Sequence, residues 1–464
     1  MTKRMNLLVI VLDALRDDSA DAILETSGRR LKAESCIASA PWTLPSCTSL
    51  MTGTDAVQHR HFWHDHTLSA SGLVRALPSE FRKIAFVNNT VLNPTCQLND
   101  GFDQWKYFAP HAEPFERAAK LIRRAGRRRP LFLLLHSNIP HDYYDPEASA
   151  YYDEAFPDAP GEAFMLGDRV IRWTGTTPEE RSAVARTYKA SAMKAVSCAR
   201  EVLDLAQARD DFISVVVSDH GEGLDYDNGR IHHGGRLHDD LLRVPLYLDV
   251  PSTIPERQFD DLAGALTSGP VALTDVLPTL FALAGVGSVP AVNGRPIDSS
   301  MSERVIVSEE RRYLYLNDRF RLNIQGRNRW MSPQEREQNK RLQGQLASPP
   351  LLRSYRSGTA KLIVTCLHLR APESRHEVFE WGQRLLGRPM LAFGGDRLFA
   401  FELYDLVSDP AERNNLLATD GTGMEALLAA GRALSTTLPV SGAPDAAEVD
   451  IVTVLDDVEH VAVH

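Results

Sequence analysis

Short apolar runs alternate with longer segments of helical composition through the first two thirds of the chain. The runs are 7–12, 84–87, 131–135, 213–217 and 244–250. Each is almost continuously apolar, which is typical of strands covered on both faces. The intervening segments of helical length are 113–125, 178–208 and 271–284. This alternation predicts an α/β sandwich with a large, mostly parallel sheet flanked by helices.

The pattern changes near residue 300, after which shorter strand-like pieces follow one another. They are 305–308, 313–316, 319–324, 362–366 and 399–406. Such pieces predict a smaller antiparallel sheet with one or two packing helices. We therefore expect a larger α/β domain over 1–300, a smaller C-terminal α+β subdomain over 301–440 and a tail over 441–464. The polar stretch 327–345 predicts a surface insertion or a mobile loop.

The charge and cysteine content exclude several classes of protein. The chain has 464 residues, a formal net charge of -10 and a pI near 5.9, so nucleic acid is not an expected partner. The arginine-rich segment 123–129 is interpreted as a solvated helix face. The five cysteines are spread along the chain without a C-x-x-C pair. Neither a disulfide framework nor a zinc knuckle is therefore expected.

The hydropathy of the chain does not predict a membrane segment. The apolar run 6–12 follows a basic start, but it is short, ends on Asp13 and lacks a small-residue cleavage site. We interpret it as a buried strand rather than a signal peptide. No other run reaches the roughly 20 apolar residues that a membrane helix requires. We expect a cytoplasmic protein with no membrane partner, and the sequence carries no signal for its oligomeric state.

Side chains that can bind metal follow several of the predicted strands. Asp13, His136, Asp219 and His220 all stand at strand ends, where ligands gather in open α/β sheets. Taken alone, Asp13 is equally compatible with a helix N-cap, and the pair Asp219 and His220 with a turn. Together, the carboxylate oxygens and the imidazole nitrogen at two strand ends favour a divalent metal ion.

The segment 40–53, Ala-Pro-Trp-Thr-Leu-Pro-Ser-Cys-Thr-Ser-Leu-Met-Thr-Gly, predicts a short helix. Thr43 and Pro45 are expected to be its cap and first turn, and Gly53 its end. A capping role alone would be enough to explain a threonine at position 43. A helix N-terminus also presents free N–H groups and a positive dipole end, so a hydroxyl there can lie on a metal beside a bound anion. Coordination would lower the pKa of the hydroxyl and make it a nucleophile near neutral pH.

These segments belong to an ordered set of motifs along the chain. The others are 218–223 (Ser-Asp-His-Gly-Glu-Gly), 233–245 (with His-Gly and Arg-Val-Pro), 136–144 (with Pro-His) and 402–416 (with Asp-Pro). The set, which spans 6–416, resembles the sulfatase family of the alkaline-phosphatase superfamily. In that family the Thr43 segment corresponds to the nucleophile helix, Cys/Ser/Thr-x-Pro-Ser-x-x-x-Leu-x-Thr-Gly. The resemblance implies an alkaline-phosphatase-like sandwich whose domain over 1–300 is catalytic.

The resemblance also implies roles for individual residues. The side chains implied to surround the metal ion are Asp13, Thr43, Asp219 and His220. His141 and His233 would face the transferred group or the leaving oxygen, where histidine can protonate a leaving group near neutral pH.

Four further residues lie near these motifs. Arg16 and Asp18 match the family's first loop and are expected to brace the metal carboxylates through an ion pair. His232 and His238 are interpreted as supporting or solvent-exposed histidines.

Several positions depart from a standard sulfatase. Thr43 replaces the cysteine or serine that is converted to formylglycine, and Cys47 replaces an arginine, so the chain is predicted to be a Thr-type, non-formylglycine member. Cys47 is interpreted as a small core residue rather than a nucleophile. Ala14 removes one expected oxygen ligand, and Ile139 stands where an aspartate often precedes the Pro-His pair. His220 in place of an amide suits manganese or zinc better than calcium.

The sequence thus predicts a metal-dependent hydrolase or transferase that acts on a phosphate, phosphonate or sulfate ester through a Thr43 nucleophile. Threonine at this position favours a phosphorus ester. One divalent ion (Mn, Zn, Ca or Mg) is expected, and His141 and His233 could help to hold a second. The substrate would be a small anionic ester whose leaving group is selected by loops 143–172 and 327–345. Two alternatives stay open: a sulfuric ester hydrolase without formylglycine, and a catalytically silent relative that binds an anion or a partner protein.

Overall fold

The chain divides into two structural units. The first comprises 1–224, 231–234 and 240–302, and the second comprises 225–230, 235–239 and 303–464. The computed structural model describes residues 5–20, 24, 28–63, 68, 70–109, 111–126, 129–144, 146–155, 177–225, 230–287, 290–311, 321–324, 327–330, 333–371, 376–378, 380, 391–393 and 397–417. The predicted tail 441–464, the predicted strand 313–316 and most of the predicted loop 143–172 lie outside these residues.

The elements before residue 303 are mostly short strands and a few long helices. The strands are β1 (Asn6–Leu12), β2 (Arg30–Lys32), β3 (Cys36–Ile37), β4 (Arg82–Val87), β5 (Gln104–Tyr107), β6 (Leu131–Ser137), β7 (Phe212–Val217), β8 (Gly223–Asp225), β9 (Arg230–His232), β10 (Arg243–Val244), β11 (Leu246–Asp249) and β12 (Val271–Ala272). The helices are α1 (Asp17–Ala20), α2 (Thr43–Thr52), α3 (Ala56–His59), α4 (Glu113–Arg124), α5 (Pro146–Ala155), α6 (Pro178–Gln207), α7 (Asp239–Leu242), α8 (Glu256–Ser268) and α9 (Val276–Leu283).

Among the described residues, seven strands form the large sheet of the first unit, in the order β2-β11-β7-β1-β6-β4-β5. The pairs from β7 through β5 are parallel, and β11 runs antiparallel to both β7 and β2. Helix α4 packs against β4 and β6, and α6 packs against β1 and β7. The prediction of a mostly parallel sheet flanked by helices is confirmed.

The burial of each strand follows its place in this sheet. All seven residues of β1 are buried, because β1 pairs with a strand on each side and is covered on both faces. At the end of the strand order, β5 has the sequence Gln-Trp-Lys-Tyr and is largely exposed. The continuously apolar runs therefore correspond to the central strands, and β5 was not predicted because it lacks such a run.

Proline divides one of the predicted strands. The run 244–250 is split into β10 and β11 by Pro245, which has no N–H for a sheet hydrogen bond. Strand β10 instead joins β3 and β12 in a small separate sheet. Only the part of the run in β11 belongs to the large sheet.

The second unit contains an antiparallel sheet, as predicted. Its further elements are β13 (Val305–Arg311), β14 (Arg321–Ile324), β15 (Arg327–Trp330), α10 (Pro333–Gln343), β16 (Leu351–Ser357), β17 (Ala360–His368), β18 (Leu391–Phe393) and β19 (Arg397–Asp405). The described strand order is β13-β16-β17-β19-β18, and every pair is antiparallel.

The prediction of a loop over 327–345 is wrong. Strand β15 pairs with β14, and α10 spans Pro333–Gln343. The helix sequence Pro-Gln-Glu-Arg-Glu-Gln-Asn-Lys-Arg-Leu-Gln begins with proline and continues with good helix formers, so it can form a helix with little apolar surface. High polarity alone was the basis of the loop prediction. In the described part of the chain, no helix is long and apolar enough to cross a membrane.

A buried ion pair joins two strands at one end of the large sheet. Arg30 in β2 donates from Nε and Nη2 to the two carboxylate oxygens of Asp249 in β11, at 2.6 and 2.8 Å. Both side chains are almost fully buried. A second carboxylate, that of Asp204, is more exposed and lies 3.8 Å from Arg30 Nη2. Removal of Asp249 would therefore leave the charge of Arg30 poorly compensated in a water-poor environment.

We predict that Asp249→Ala lowers the free energy of unfolding by about 3 kcal/mol, because buried Arg30 then keeps only the longer contact with the exposed carboxylate of Asp204, 3.8 Å from Nη2. Urea denaturation followed by circular dichroism measures this change. The double variant Arg30→Met/Asp249→Leu should recover most of the loss, since it removes both charges. If the double variant loses as much free energy of unfolding as Asp249→Ala, the effect is due to packing and not to the ion pair.

Candidate active site

Three elements bring the predicted metal and nucleophile residues together. Asp13 follows β1 directly, Asp219 and His220 follow the adjacent parallel strand β7, and Thr43 begins α2. Their exposed fractions are 0% for Asp13, Asp219 and His220 and 4% for Thr43. The carboxyl ends of the two strands thus place one buried polar cluster at the start of a helix.

The donor atoms of this cluster have the spacing of metal ligands. His220 Nε2 lies 3.3 Å from Asp13 Oδ1 and 3.7 Å from Asp219 Oδ2. Thr43 Oγ1 lies 3.3 Å from both Asp13 Oδ2 and His220 Nε2. Bond lengths of about 2.1 Å would put tetrahedral oxygen and nitrogen ligands roughly 3.4 Å apart. Atoms of Asp13, Asp219 and His220 lie within 4.8 Å of one another, so these residues fit a single cation.

Backbone contacts orient His220 and Asp219 toward this centre. His220 Nδ1 lies 2.8 Å from the carbonyl oxygen of Gly221 and donates to it, which leaves the lone pair of Nε2 for a metal. Asp219 Oδ1 accepts from the N–H groups of Ala14 at 3.2 Å and His220 at 3.0 Å. Gly221 is required because a Cβ there would overlap the carbonyl oxygen of Asp240.

The two buried carboxylates need positive charge. Burial, together with the charge of Asp13, raises the pKa of Asp219. Burial alone would also raise the pKa of Asp13, but the charges of His141 and His220 outweigh it and hold that pKa below its usual range. A divalent cation would balance both carboxylates without protonating either one.

Asn89 is a site residue that the sequence reasoning missed. Its Nδ2 donates to Asp13 Oδ2 at 2.7 Å and to Asn138 Oδ1 at 2.8 Å. Asn89 stands two residues after β4, in the same parallel sheet. The strand-end rule that identified Asp13 would therefore have found it, but an amide carries a weaker metal signal than a carboxylate.

Thr43 does not cap its helix, contrary to the prediction. Trp42 is the N-cap residue, Thr43 is the first helical residue, and no side chain forms the cap hydrogen bond. The hydroxyl is instead directed at Asp13 and His220. The predicted end of the helix is confirmed, since Gly53 closes it with a left-handed φ of 66°.

His233 and His141 form a row of rings that begins at His220. The ring centroids of His220 and His233 are 4.6 Å apart, and those of His233 and His141 are 4.9 Å apart. His233 and His141 each pair Nδ1 with a carboxylate, His233 with Glu222 at 2.9 Å and His141 with Asp142 at 2.7 Å. Such pairs fix the tautomer and leave Nε2 for chemistry. The sequence reasoning assigned roles to the histidines but not to their carboxylates.

Asp142 also connects His141 to a second histidine. Its other oxygen, Oδ2, lies 3.2 Å from Nε2 of His111, and the hydroxyl of Tyr151 lies 3.3 Å from Nδ1 of the same ring. Burial lowers the pKa of His141, but the charges of Asp13 and Asp142 overcome this effect and raise it to about 9. His141 therefore carries a proton at neutral pH in the metal-free protein.

The predicted brace of the metal carboxylates needs correction. Arg16 and Asp18 do form an ion pair at 2.6 Å, but Arg16 Nη1 donates to the backbone oxygen of Glu222 at 2.8 Å and not to Asp13 or Asp219. The pair thus supports the loop that carries Glu222. The backbone after Asp13 is held separately, because Tyr188 donates from its hydroxyl to the Ala14 carbonyl at 2.8 Å.

Four further residues that the sequence analysis named have the following surroundings. Cys47 is buried, but its Sγ lies 3.7 Å from Asp219 Oδ2 and so faces the cluster instead of the apolar core. His232 Nδ1 lies 3.8 Å from Glu222 Oε1. His238 is buried in the second unit, 3.3 Å from Glu402, and is therefore not solvent-exposed. Ile139 is buried as an apolar residue.

Comparison with known proteins identifies the family. A family model described as Sulfatase matches residues 6–286. The chain therefore belongs to the sulfatase family. Family membership supports an esterase-type enzyme. The chain is 23% identical over 303 residues to the low-salt glycan biosynthesis sulfotransferase Agl7 of Haloferax volcanii, a match that covers 62% of this chain and 63% of that protein. The chain thus spans less than two thirds of the length of that curated relative.

Solved structures of the family share the fold. A 2-O GAG sulfatase has a TM-score of 0.58 at 17% identity, with 99% of this chain and 94% of that chain covered. The phosphonate monoester hydrolase of Agrobacterium radiobacter also has a TM-score of 0.58 at 17% identity, with 93% and 95% covered. The expectation of an alkaline-phosphatase-like sandwich with a small C-terminal antiparallel sheet is confirmed.

We predict that Asp142→Asn lowers the pKa of His141 in the metal-free protein from about 9, because the variant removes a charged hydrogen-bond partner of Nδ1. A pH titration of the imidazole signals by NMR measures the shift. The free energy of unfolding should change accordingly. A histidine whose pKa is higher in the folded than in the unfolded state stabilises the fold at a pH below the unfolded-state pKa, and this stabilisation is lost as the pH rises through the folded-state pKa. Asp142→Asn should reduce it.

The control for this titration is Asp260→Asn, which removes an exposed carboxylate from α8. It should leave the pKa of His141 unchanged. An equal or higher pKa in Asp142→Asn would contradict the assigned pairing.

Proposed function

We propose that the protein is a metal-dependent hydrolase or transferase that acts on a singly charged sulfate, phosphonate or phosphate ester through a covalent intermediate at Thr43. The observation that carries this proposal is the position of the Thr43 hydroxyl, 3.3 Å from both Asp13 Oδ2 and His220 Nε2 at the first turn of α2. A hydroxyl so placed, without a capping role, has the surroundings of a nucleophile.

Asp13, Asp219 and His220 would hold one divalent cation together with Thr43. When bound, the cation supplies charge neutralisation for the ester and lowers the pKa of the threonine hydroxyl. The donor set contains two carboxylates and an imidazole, which suits manganese or zinc better than calcium. The buried N–H groups at the start of α2 add positive dipole charge for a bound anion.

The side chains of the site can carry out the first transfer. Thr43 Oγ1, which lies 3.3 Å from the carboxylate of Asp13, releases its proton to solvent and attacks the sulfur or phosphorus atom. A new bond to Oγ1 forms and the bond to the ester oxygen breaks. His141 or His233 then gives a proton to the leaving oxygen. Both rings are held by carboxylates through Nδ1, so the proton comes from Nε2.

The charges around the centre favour a singly charged ester. Among the described residues, the side chains within hydrogen-bond distance of Thr43, Asp13 and Asp219 are neutral groups or histidines, and none is lysine or arginine. Two carboxylates also balance the charge of one divalent ion. A sulfate monoester, a phosphonate monoester or a phosphodiester therefore suits the site better than a doubly charged phosphate monoester.

The second step decides between hydrolysis and transfer. The histidine that gave its proton takes one from water or an acceptor alcohol, whose oxygen attacks the sulfur or phosphorus atom of the Thr43 adduct. The bond to Oγ1 breaks, and Oγ1 takes a proton from solvent. Similar proteins include a sulfotransferase and a phosphonate monoester hydrolase, so both outcomes are represented among them. The acceptor is a property of the loops around the site rather than of the cluster.

We predict that the protein with added Mn²⁺ or Zn²⁺ cleaves at least one of 4-nitrophenyl sulfate, 4-nitrophenyl phenylphosphonate and bis(4-nitrophenyl) phosphate. Thr43→Ala should lower kcat at least about 10³-fold, because it removes the nucleophile. Thr43→Ser keeps a hydroxyl and should retain much of the rate. Intact-protein mass spectrometry should detect a sulfuryl or phosphoryl adduct in the wild type and Thr43→Ser only.

Thr52→Ala is the matched control, since Thr52 lies on the same helix and bonds to the backbone oxygen of Thr48. It should not change the rate. Undiminished turnover in Thr43→Ala would remove Thr43 from the nucleophile role. A wild-type protein that retains no divalent metal and cleaves no ester would be a silent anion-binding relative.

A further inference from the structure

A second group of metal-binding side chains lies beside the proposed centre. Atoms of Cys47, His136 and Asp219 lie within 4.8 Å of one another, and all three residues are buried. Asp219 belongs to the proposed centre as well. Cys47 and His136 do not, and the proposed reaction gives neither of them a role.

His136 has an unusual environment for a buried histidine. His136 lies near the carboxyl end of β6, and its exposed fraction is 1%. Neither Nδ1 nor Nε2 has a hydrogen-bond partner. A buried imidazole with two unsatisfied nitrogens is costly unless something binds it. The nearest charged atom to Nε2 that the structure provides is Asp13 Oδ2, at 3.5 Å, a distance too long for a good hydrogen bond.

The spacing of the donor atoms fits a second ion. Asp219 Oδ2 lies 3.7 Å from Cys47 Sγ and 3.7 Å from His220 Nε2. With bonds of about 2.1 Å to oxygen and 2.3 Å to sulfur, tetrahedral ligands would lie roughly 3.6 Å apart. Asp219 thus belongs to both groups of donor atoms, as a bridging ligand in a two-metal site requires.

We propose that Cys47, His136 and Asp219 form a second cation subsite, selective for zinc-like ions, and that Asp219 bridges it to the ion held by Asp13, Asp219 and His220. Thiolate, imidazole and carboxylate together are a typical ligand set for zinc. Binding would release the thiol proton of Cys47 to solvent. This inference deepens the proposed function, because it adds a second ion to the same centre.

A second ion would improve the charge balance for an anionic substrate. Two divalent ions against the carboxylates of Asp13 and Asp219 and the thiolate of Cys47 leave one net positive charge. This charge would attract an anionic ester and would stabilise charge that develops at the transferred group. It also gives Cys47 a function at the position where a standard sulfatase has an arginine.

The test is a cobalt titration of the full chain after metal removal by a chelator. Wild-type protein should bind two equivalents of Co²⁺, and thiolate-to-cobalt charge-transfer absorption should appear in the near ultraviolet. Cys47→Ala should lose this absorption and one equivalent while it keeps the other. His136→Gln should likewise bind one equivalent only. Cys36→Ala, which removes a buried cysteine in β3, should behave like the wild type.

The outcomes separate this inference from the proposed function. One equivalent in the wild type, or two equivalents in Cys47→Ala, overturns the second subsite and leaves the single-ion centre intact. No bound cobalt at all contradicts the proposed function itself. Circular dichroism and thermal melting show whether the variants fold. If Cys47→Ala does not fold, X-ray absorption of the zinc-loaded wild type decides, because sulfur in the coordination shell supports the subsite and its absence overturns it.

Discussion

Asp13 and Asp219 place two carboxylates without exposed surface at the ends of adjacent parallel strands. Two negative charges at such short range repel each other strongly in a water-poor environment unless positive charge balances them. The groups around them follow this requirement: Asn89, His220 and the N–H of Ala14 all present hydrogen-bond donors or cations to the carboxylates. The topology of the sheet therefore creates a site that favours a cation, and hydrogen-bond donors surround its two carboxylates.

The proposed nucleophile and the proposed acid residues are held in place by different contacts. Thr43 is fixed by the backbone of α2 as its first helical residue, and its hydroxyl is directed at Asp13 and His220. His141 and His233 are fixed by carboxylates that bond to Nδ1. Such pairing orients a ring and raises its basicity without placing charge on the reacting nitrogen. Attack and proton donation can thus be tuned separately by substitution.

Strand periodicity and the strand-end rule predict much of this structure. The apolar runs identify the central strands, and their last residues identify Asp13, His136, Asp219 and His220. These predictions succeed because a parallel sheet buried on both faces leaves a strong and local pattern.

These sequence patterns do not predict contacts between side chains. Cys47 faces Asp219, which is 172 positions away in the sequence. The residues around Cys47 predict only that it lies inside a helix. Asp142 and Glu222 acquire their roles through contacts with His141 and His233 that spacing alone does not reveal. The helix α10 was missed because its composition is polar, although helix propensity does not require apolar residues.

The central claim is that Asp13, Asp219 and His220 hold a cation beside the Thr43 hydroxyl. A crystal structure of the protein with Mn²⁺ and vanadate, with anomalous scattering to locate the metal, tests it most directly. We predict a manganese ion bonded to all three residues and a vanadate whose vanadium atom is bonded to Thr43 Oγ1, with His141 and His233 on its far side. Metal at any other residues, or vanadate without contact to Thr43, would contradict the account.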